Sequence, residues 1–164
     1  MKKLKVADIR EYVFPLFIQS TIEKSRSFLG TAFFITQNGI ALTASHCFPP
    51  LNKLKEGENL VAGLRDDSTM NNREVRLVAV EAVTVLEQPD LAMIKVKACP
   101  VKFLPMSFRE LAMGDDVMTA GIPEHSVSGD GKEFRCLKGH VTFVATPHEY
   151  GGLLQLNFAV PGGG

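Results

Sequence analysis

The stretch Gly30-Thr-Ala-Phe-Phe-Ile-Thr-Gln-Asn-Gly-Ile-Ala-Leu-Thr-Ala-Ser-His46-Cys47 sets how the rest of the chain is read. It holds two apolar runs, residues 31–36 and 40–43, separated by Gln37-Asn38-Gly39. An Asn-Gly pair between apolar runs signals a hairpin, because tight strand reversals need residues that tolerate positive φ. The second run therefore doubles back along the first and delivers His46 just past a strand end. The residues before it, Thr43, Ala44 and Ser45, are small. They let the backbone turn and leave the imidazole facing a cleft.

On either side of this segment, short apolar runs of the same kind recur at residues 13–19, 60–64, 75–85, 91–96, 117–120, 134–137, 141–145 and 153–160. The last alternates with period two, so Leu154, Leu156, Phe158 and Val160 face a core while Gln155 and Asn157 face away. Runs of this length, bounded by Gly, Pro, Asn and Asp, predict an all-β barrel or sandwich. Only residues 22–25 and 108–111 look locally helical. Residues 100–114 read as a linker, with six candidate strands before it and about four after. The expected organisation is an N-terminal barrel over 1–99, the linker over 100–114, and a partial second barrel over 115–164.

Composition limits the function classes. The 164 residues are 45% hydrophobic and 22% charged, an ordinary globular balance. Lys+Arg and Asp+Glu are both 18, giving a formal net charge of zero. With no Lys/Arg cluster forming a patch, nucleic acid is not an expected partner. No segment approaches the length of a membrane span. Met1-Lys2-Lys3-Leu4-Lys5 is a basic start, but Asp8, Arg10 and Glu11 break the apolar run an export signal needs. Cys47, Cys99 and Cys136 are odd in number and widely spaced, which suits thiols better than a disulfide framework. A cytoplasmic address is expected. Cys136, His140 and His148 are ligand types that suit zinc, but their spacing matches no finger pattern, and no metal or other cofactor is expected.

His46 gains meaning from a second segment, Gln88-Pro-Asp90-Leu-Ala-Met-Ile-Lys-Val96. Here a carboxylate stands at the mouth of an apolar strand, 44 residues after the histidine. A partly shielded carboxylate beside an imidazole can orient it and stabilise its protonated form. Thr43-Ala-Ser-His46-Cys47 resembles the histidine motif of trypsin-like serine proteases, and Asp90-Leu-Ala-Met-Ile is similar to their aspartate motif. Ala112-Met-Gly114-Asp-Asp-Val117-Met-Thr-Ala-Gly121-Ile-Pro123 and Lys138-Gly139-His140-Val141-Thr142 look like the opening strands of that family's second barrel. The resemblance runs from about residue 13 to 164. It implies a chymotrypsin-like double six-stranded β-barrel, peptide or protein substrates, His46 as general base and Asp90 as its orienter. Relatives that bridge the Cys47 position place the partner near Leu29 and Gly30, where this chain has no cysteine, so Cys47 is expected to be a packed thiol.

The third motif of the family, Gly-x-Ser-Gly followed by Gly or Ser and Pro, belongs after a strand such as residues 153–160. Here that run leads into Pro161-Gly162-Gly163-Gly164. The resemblance places the nucleophile and oxyanion loop at Gly162, Gly163 and Gly164. Either Gly164 stands in place of the serine, or the sequence given stops one or two residues before it. The second is expected, because a serine-to-glycine change would not also delete the strands that should follow. The second barrel is accordingly expected to be incomplete, with exposed apolar surface. The aspartate that digestive-type relatives carry before the serine is expected to be absent, since the residue available there is Gly163 or Gly164. The alternative to an enzyme is a non-catalytic module that binds peptides or proteins, although such a role needs neither His46 nor Asp90.

Overall fold

The computed structural model describes residues 9, 11–48, 54–65, 75–86, 90–98, 102–107, 109–122, 134–144 and 154–156. Six strands form the first unit: β1 (Val13–Ser20), β2 (Arg26–Phe34), β3 (Ile40–Thr43), β4 (Glu58–Arg65), β5 (Val75–Leu86) and β6 (Leu91–Val96). They close into an antiparallel barrel in the order β1-β2-β3-β6-β5-β4, with β4 returning to β1. Three more strands, β7 (Asp116–Gly121), β8 (Arg135–Val144) and β9 (Leu154–Leu156), form a sheet in the order β7-β8-β9. Among the described residues the regular structure is nearly all β, with one short 3-10 turn at Ser45–Cys47.

Small and large side chains share the interior of the barrel. Ala32, Ala41 and Ala62 are fully buried beside Phe14, Phe34, Leu16, Ile94 and Val96. The rings of Phe14 and Phe34 stack at 4.4 Å between centroids. A register shift between Leu16 and Phe17 breaks the alternation of β1, which lets both residues be buried in succession. Pro15 is tolerated in this strand because the β4 ladder begins only at Leu16–Ala62, so its missing N–H leaves no bond unmade on that side.

The hairpin read from Asn38-Gly39 is present. Gly39 has φ +89°, the Ile35 N–H donates to the Ile40 carbonyl, and the Ile40 N–H donates to Thr36 Oγ1. The strand before it is shifted from expectation. It spans Arg26–Phe34 rather than 31–36, because pairing with β1 extends back to Gln19–Arg26.

Residues 22–25 form a turn, not a helix. The Ser20 hydroxyl takes the Glu23 N–H, and Lys24 adopts φ +51°, which ends any helical path. Described residues 109–111 are likewise irregular. The Arg109 N–H donates to Ser107 Oγ, while the Asp115 carboxylate takes the Ala112 N–H and pairs with Arg109. The described parts of the runs 134–137 and 141–145 fall almost wholly in one strand, β8, which pairs with β7 without interruption from Arg135–Gly121 to His140–Asp116. The polar residues Lys138-Gly139-His140 interrupt its hydropathy but not its ladder. Of residues 153–160, only β9 is described, so the facing of its side chains lies outside the described residues.

Among the described residues the second sheet does not close, and Phe143 and Val144 of β8 are exposed. It meets the barrel where Thr31 of β2 bonds to Ile122, and residues 102–107 meet the end of β2 through the Leu104 N–H and the Phe34 carbonyl. No helix among the described residues is long and apolar enough to cross a membrane.

Candidate active site

Two neighbouring strands of the barrel bring the site together. β3 and β6 pair antiparallel from Ile40–Lys95 to Thr43–Ala92. Continuing that register two residues beyond Thr43 sets Ser45 opposite Asp90. The strand ends before that point, and the Ser45–Cys47 turn begins after an extended Ala44. The turn is closed by the Cys47 N–H on the Ala44 carbonyl and the Phe48 N–H on the Ser45 carbonyl. β6 holds its side by burying Ala92, Ile94 and Val96 in the core, which fixes where its first residues emerge.

His46 and Asp90, expected to meet, do meet. Asp90 Oδ2 lies 2.5 Å from His46 Nδ1. Its other oxygen, Oδ1, accepts the His46 backbone N–H at 2.9 Å and the Ser45 hydroxyl at 2.5 Å. The hydroxyl of Ser45, then the ring and backbone N–H of His46, hold the Asp90 carboxyl well below the usual carboxylate range. An ionised carboxylate has no proton to give, so the ring proton of a neutral His46 resides on Nδ1. Nε2 is then left with its lone pair, and it has no partner among the described residues. Both side chains are about half exposed, 53% for His46 and 51% for Asp90, so a molecule arriving from solvent can reach them.

Cys47 points the other way. It is buried, and among the described residues neither it nor Cys136 is joined in a disulfide. Burial pushes its thiol up, opposed by a hydrogen bond with Thr43 and reinforced by the charge of Asp90. A thiol so placed stays protonated at neutral pH and is no nucleophile.

An imidazole oriented by a carboxylate at the end of a six-stranded antiparallel barrel is an arrangement able to accept a proton from a bound group. The family model of the trypsin-like peptidase domain matches residues 30–164. The chain belongs to that family.

Two solved structures of similar shape are proteases. The active form of the Rv3671c protease from M. tuberculosis superposes with a TM-score of 0.58 at 18% identity, covering 92% of this chain and 59% of that one. The HtrA-type protease AlgW, solved with a decapeptide, superposes with a TM-score of 0.64 at 16% identity, covering 96% of this chain and 51% of that one. At these identities the likeness speaks for the fold. The sequence given spans only half to three-fifths of those chains. No curated protein matches it.

Within this peptidase domain, Ser45 is the site residue that motif reading passed over. It read as a small residue easing a turn, yet its hydroxyl is the first cause of Asp90's lowered proton affinity. The pairing of β3 with β6 was the signal that would have placed it opposite Asp90. Gly162, Gly163 and Gly164 lie outside the described residues, as does His148, while Cys136 and His140 sit on β8.

Proposed function

We propose that this domain supplies the histidine and aspartate of a serine endopeptidase site, which cleaves peptide or protein substrates through an acyl-enzyme. The observation that carries the reading is the His46 Nδ1–Asp90 Oδ2 contact, with Nε2 left open beside it. In the reaction Nε2 takes the proton of a serine hydroxyl as its oxygen attacks the substrate carbonyl, then returns that proton to the leaving amine. Asp90 keeps the ring in the required tautomer and stabilises the imidazolium formed midway. The Ser45 hydroxyl and the His46 amide hold the carboxylate still while this happens. The nucleophile required is a serine in the loop that Gly162-Gly163-Gly164 opens, with backbone N–H groups there facing the oxyanion. In this reading residues 1–99 form the base-bearing unit, 100–114 the connection and 115–164 part of the nucleophile-bearing unit.

The test uses the product of the complete gene, including whatever follows codon 164. A fluorophosphonate probe should label one serine, and casein or a peptide library should be cleaved. His46→Ala should abolish labelling and lower turnover by roughly 10⁶. Asp90→Asn should lower it by roughly 10⁴, through loss of the tautomer. A folded protein that carries the serine yet neither labels nor cleaves would make the site a peptide-binding module instead.

A further inference from the structure

Thr31 sits in the middle of β2, remote in sequence from both sheets' site-bearing ends, yet it bonds in both directions. Its hydroxyl oxygen accepts the Ile122 N–H at 3.0 Å and its hydroxyl proton goes to the Ile122 carbonyl at 3.3 Å. This imitates a strand-to-strand bridge with a side chain, across 91 residues of sequence. Ile122 is buried and directly follows β7. Gly121 also passes close, since a methyl group there would lie 3.7 Å from the Thr31 hydroxyl.

On the other side, the Thr31 carbonyl accepts the hydroxyl of Thr43 at 2.8 Å. Thr43 is buried and is the last residue of β3, immediately before the turn that carries His46. Its side chain also bonds with Cys47. Hydrogen bonds therefore run from Thr43 to Thr31 and on between Thr31 and Ile122. The series starts beside the general base and ends in the second sheet.

We propose that Thr31 is a positioning residue of the peptidase site, tying the second sheet to the turn that holds His46. This rests on the reading of His46 as general base. The nucleophile loop follows β9 of the second sheet, whereas the base stands on the barrel. Attack needs the two in register to within a fraction of an ångström. The Thr31 hydroxyl fixes one side of that register and its carbonyl fixes the other.

The experiment is nuclear magnetic resonance on the 164-residue chain, comparing Thr31→Ser, Thr31→Val and Thr43→Val with the parent. Three signals are followed: the exchange rate of the Ile122 amide, that of the Cys47 amide, and the His46 Nδ1 proton resonance. Thr31→Val should speed exchange at Ile122 about tenfold or more, as loss of two hydrogen bonds implies. It should also speed exchange at Cys47 and shift or broaden the His46 resonance. Thr43→Val should be felt at Ile122. Thr31→Ser keeps the hydroxyl and should restore all three signals, while unchanged exchange across β4 and β5 would show that every variant is folded.

If Thr31→Val disturbs Ile122 but leaves Cys47 and His46 untouched, Thr31 is a local staple and the proposal is wrong. If Thr31→Ser behaves like valine, the methyl group matters and not the hydroxyl, and the proposal is equally wrong. None of these signals depends on turnover. Coupling with no serine labelling in the complete gene product would sink the enzymatic reading alone.

Discussion

Gly39→Ala and Gly57→Ala make a matched pair, because the two glycines share a backbone conformation but not a neighbourhood. Their φ values are +89° and +81°. Any L-residue at either position carries the left-handed penalty of about 1–2 kcal/mol. At Gly57 the new methyl would meet Ile22 Cγ1 at 2.8 Å and Cδ1 at 2.9 Å. Ile22 is 68% exposed, so its side chain swings aside at little cost. At Gly39 the methyl would meet the Val96 carbonyl at 2.5 Å and the Ala98 carbonyl at 2.9 Å. Those are backbone atoms and cannot swing. The Val96 carbonyl also accepts the Ala98 N–H at 2.8 Å, and the Val96 N–H donates to the Gly39 carbonyl at 2.9 Å. Relieving the clash therefore strains two hydrogen bonds, each worth about 1 kcal/mol.

Gly39→Ala should destabilise by about 3–4 kcal/mol and Gly57→Ala by about 1–2 kcal/mol. Urea unfolding followed by far-ultraviolet circular dichroism reads both, as a fall in midpoint at unchanged slope. Because Gly39 joins β3 to the end of β6, its variant should also disturb the His46 Nδ1 resonance, whereas the Gly57 variant should not. Equal losses at the two positions would show that φ alone sets the cost, and the steric argument would fail.

Two further outcomes concern the site. Asp90 has its proton affinity lowered in the folded chain, first by the Ser45 hydroxyl and then by His46. Its contribution to stability is present above the ordinary carboxylate range near pH 4 and fades as pH falls through its lower folded value. The gap in urea midpoint between the parent and Asp90→Asn should therefore be widest above about pH 4 and narrow on acidification. Parallel curves from about pH 6 to about pH 2 would remove the assigned cause. For Cys47, alkylation by iodoacetamide at about pH 8, read by peptide mass spectrometry, should be at least about 100-fold slower in the native chain than in urea, since the thiol is buried and its ionisation disfavoured. Equal rates would put it on the surface.

Much of this protein is written locally. The apolar runs of the first barrel, the Asn38-Gly39 reversal and the small residues before His46 depend on neighbours in sequence, so periodicity and turn chemistry reveal them. The same holds for Asp90 at the mouth of β6. What local pattern could not supply is anything set by register or by partners far along the chain. β2 starts at Arg26 because β1 extends far enough to pair with it. β8 runs unbroken through Lys138-Gly139-His140 because β7 supplies the ladder regardless of hydropathy. Ser45 becomes a partner of Asp90 only once β3 lies beside β6. Thr31, an ordinary strand residue by its pattern, meets Ile122 only when the second sheet docks. Hydropathy and turn propensity record what each segment is able to form, and they are enough to mark six runs for the first barrel and to bring His46 and Asp90 forward as candidates. Which hydroxyl, amide and carbonyl complete that site depends on groups brought within about 3 Å from distant positions, the reach of a hydrogen bond, and that proximity exists only in the closed barrel with its second sheet docked.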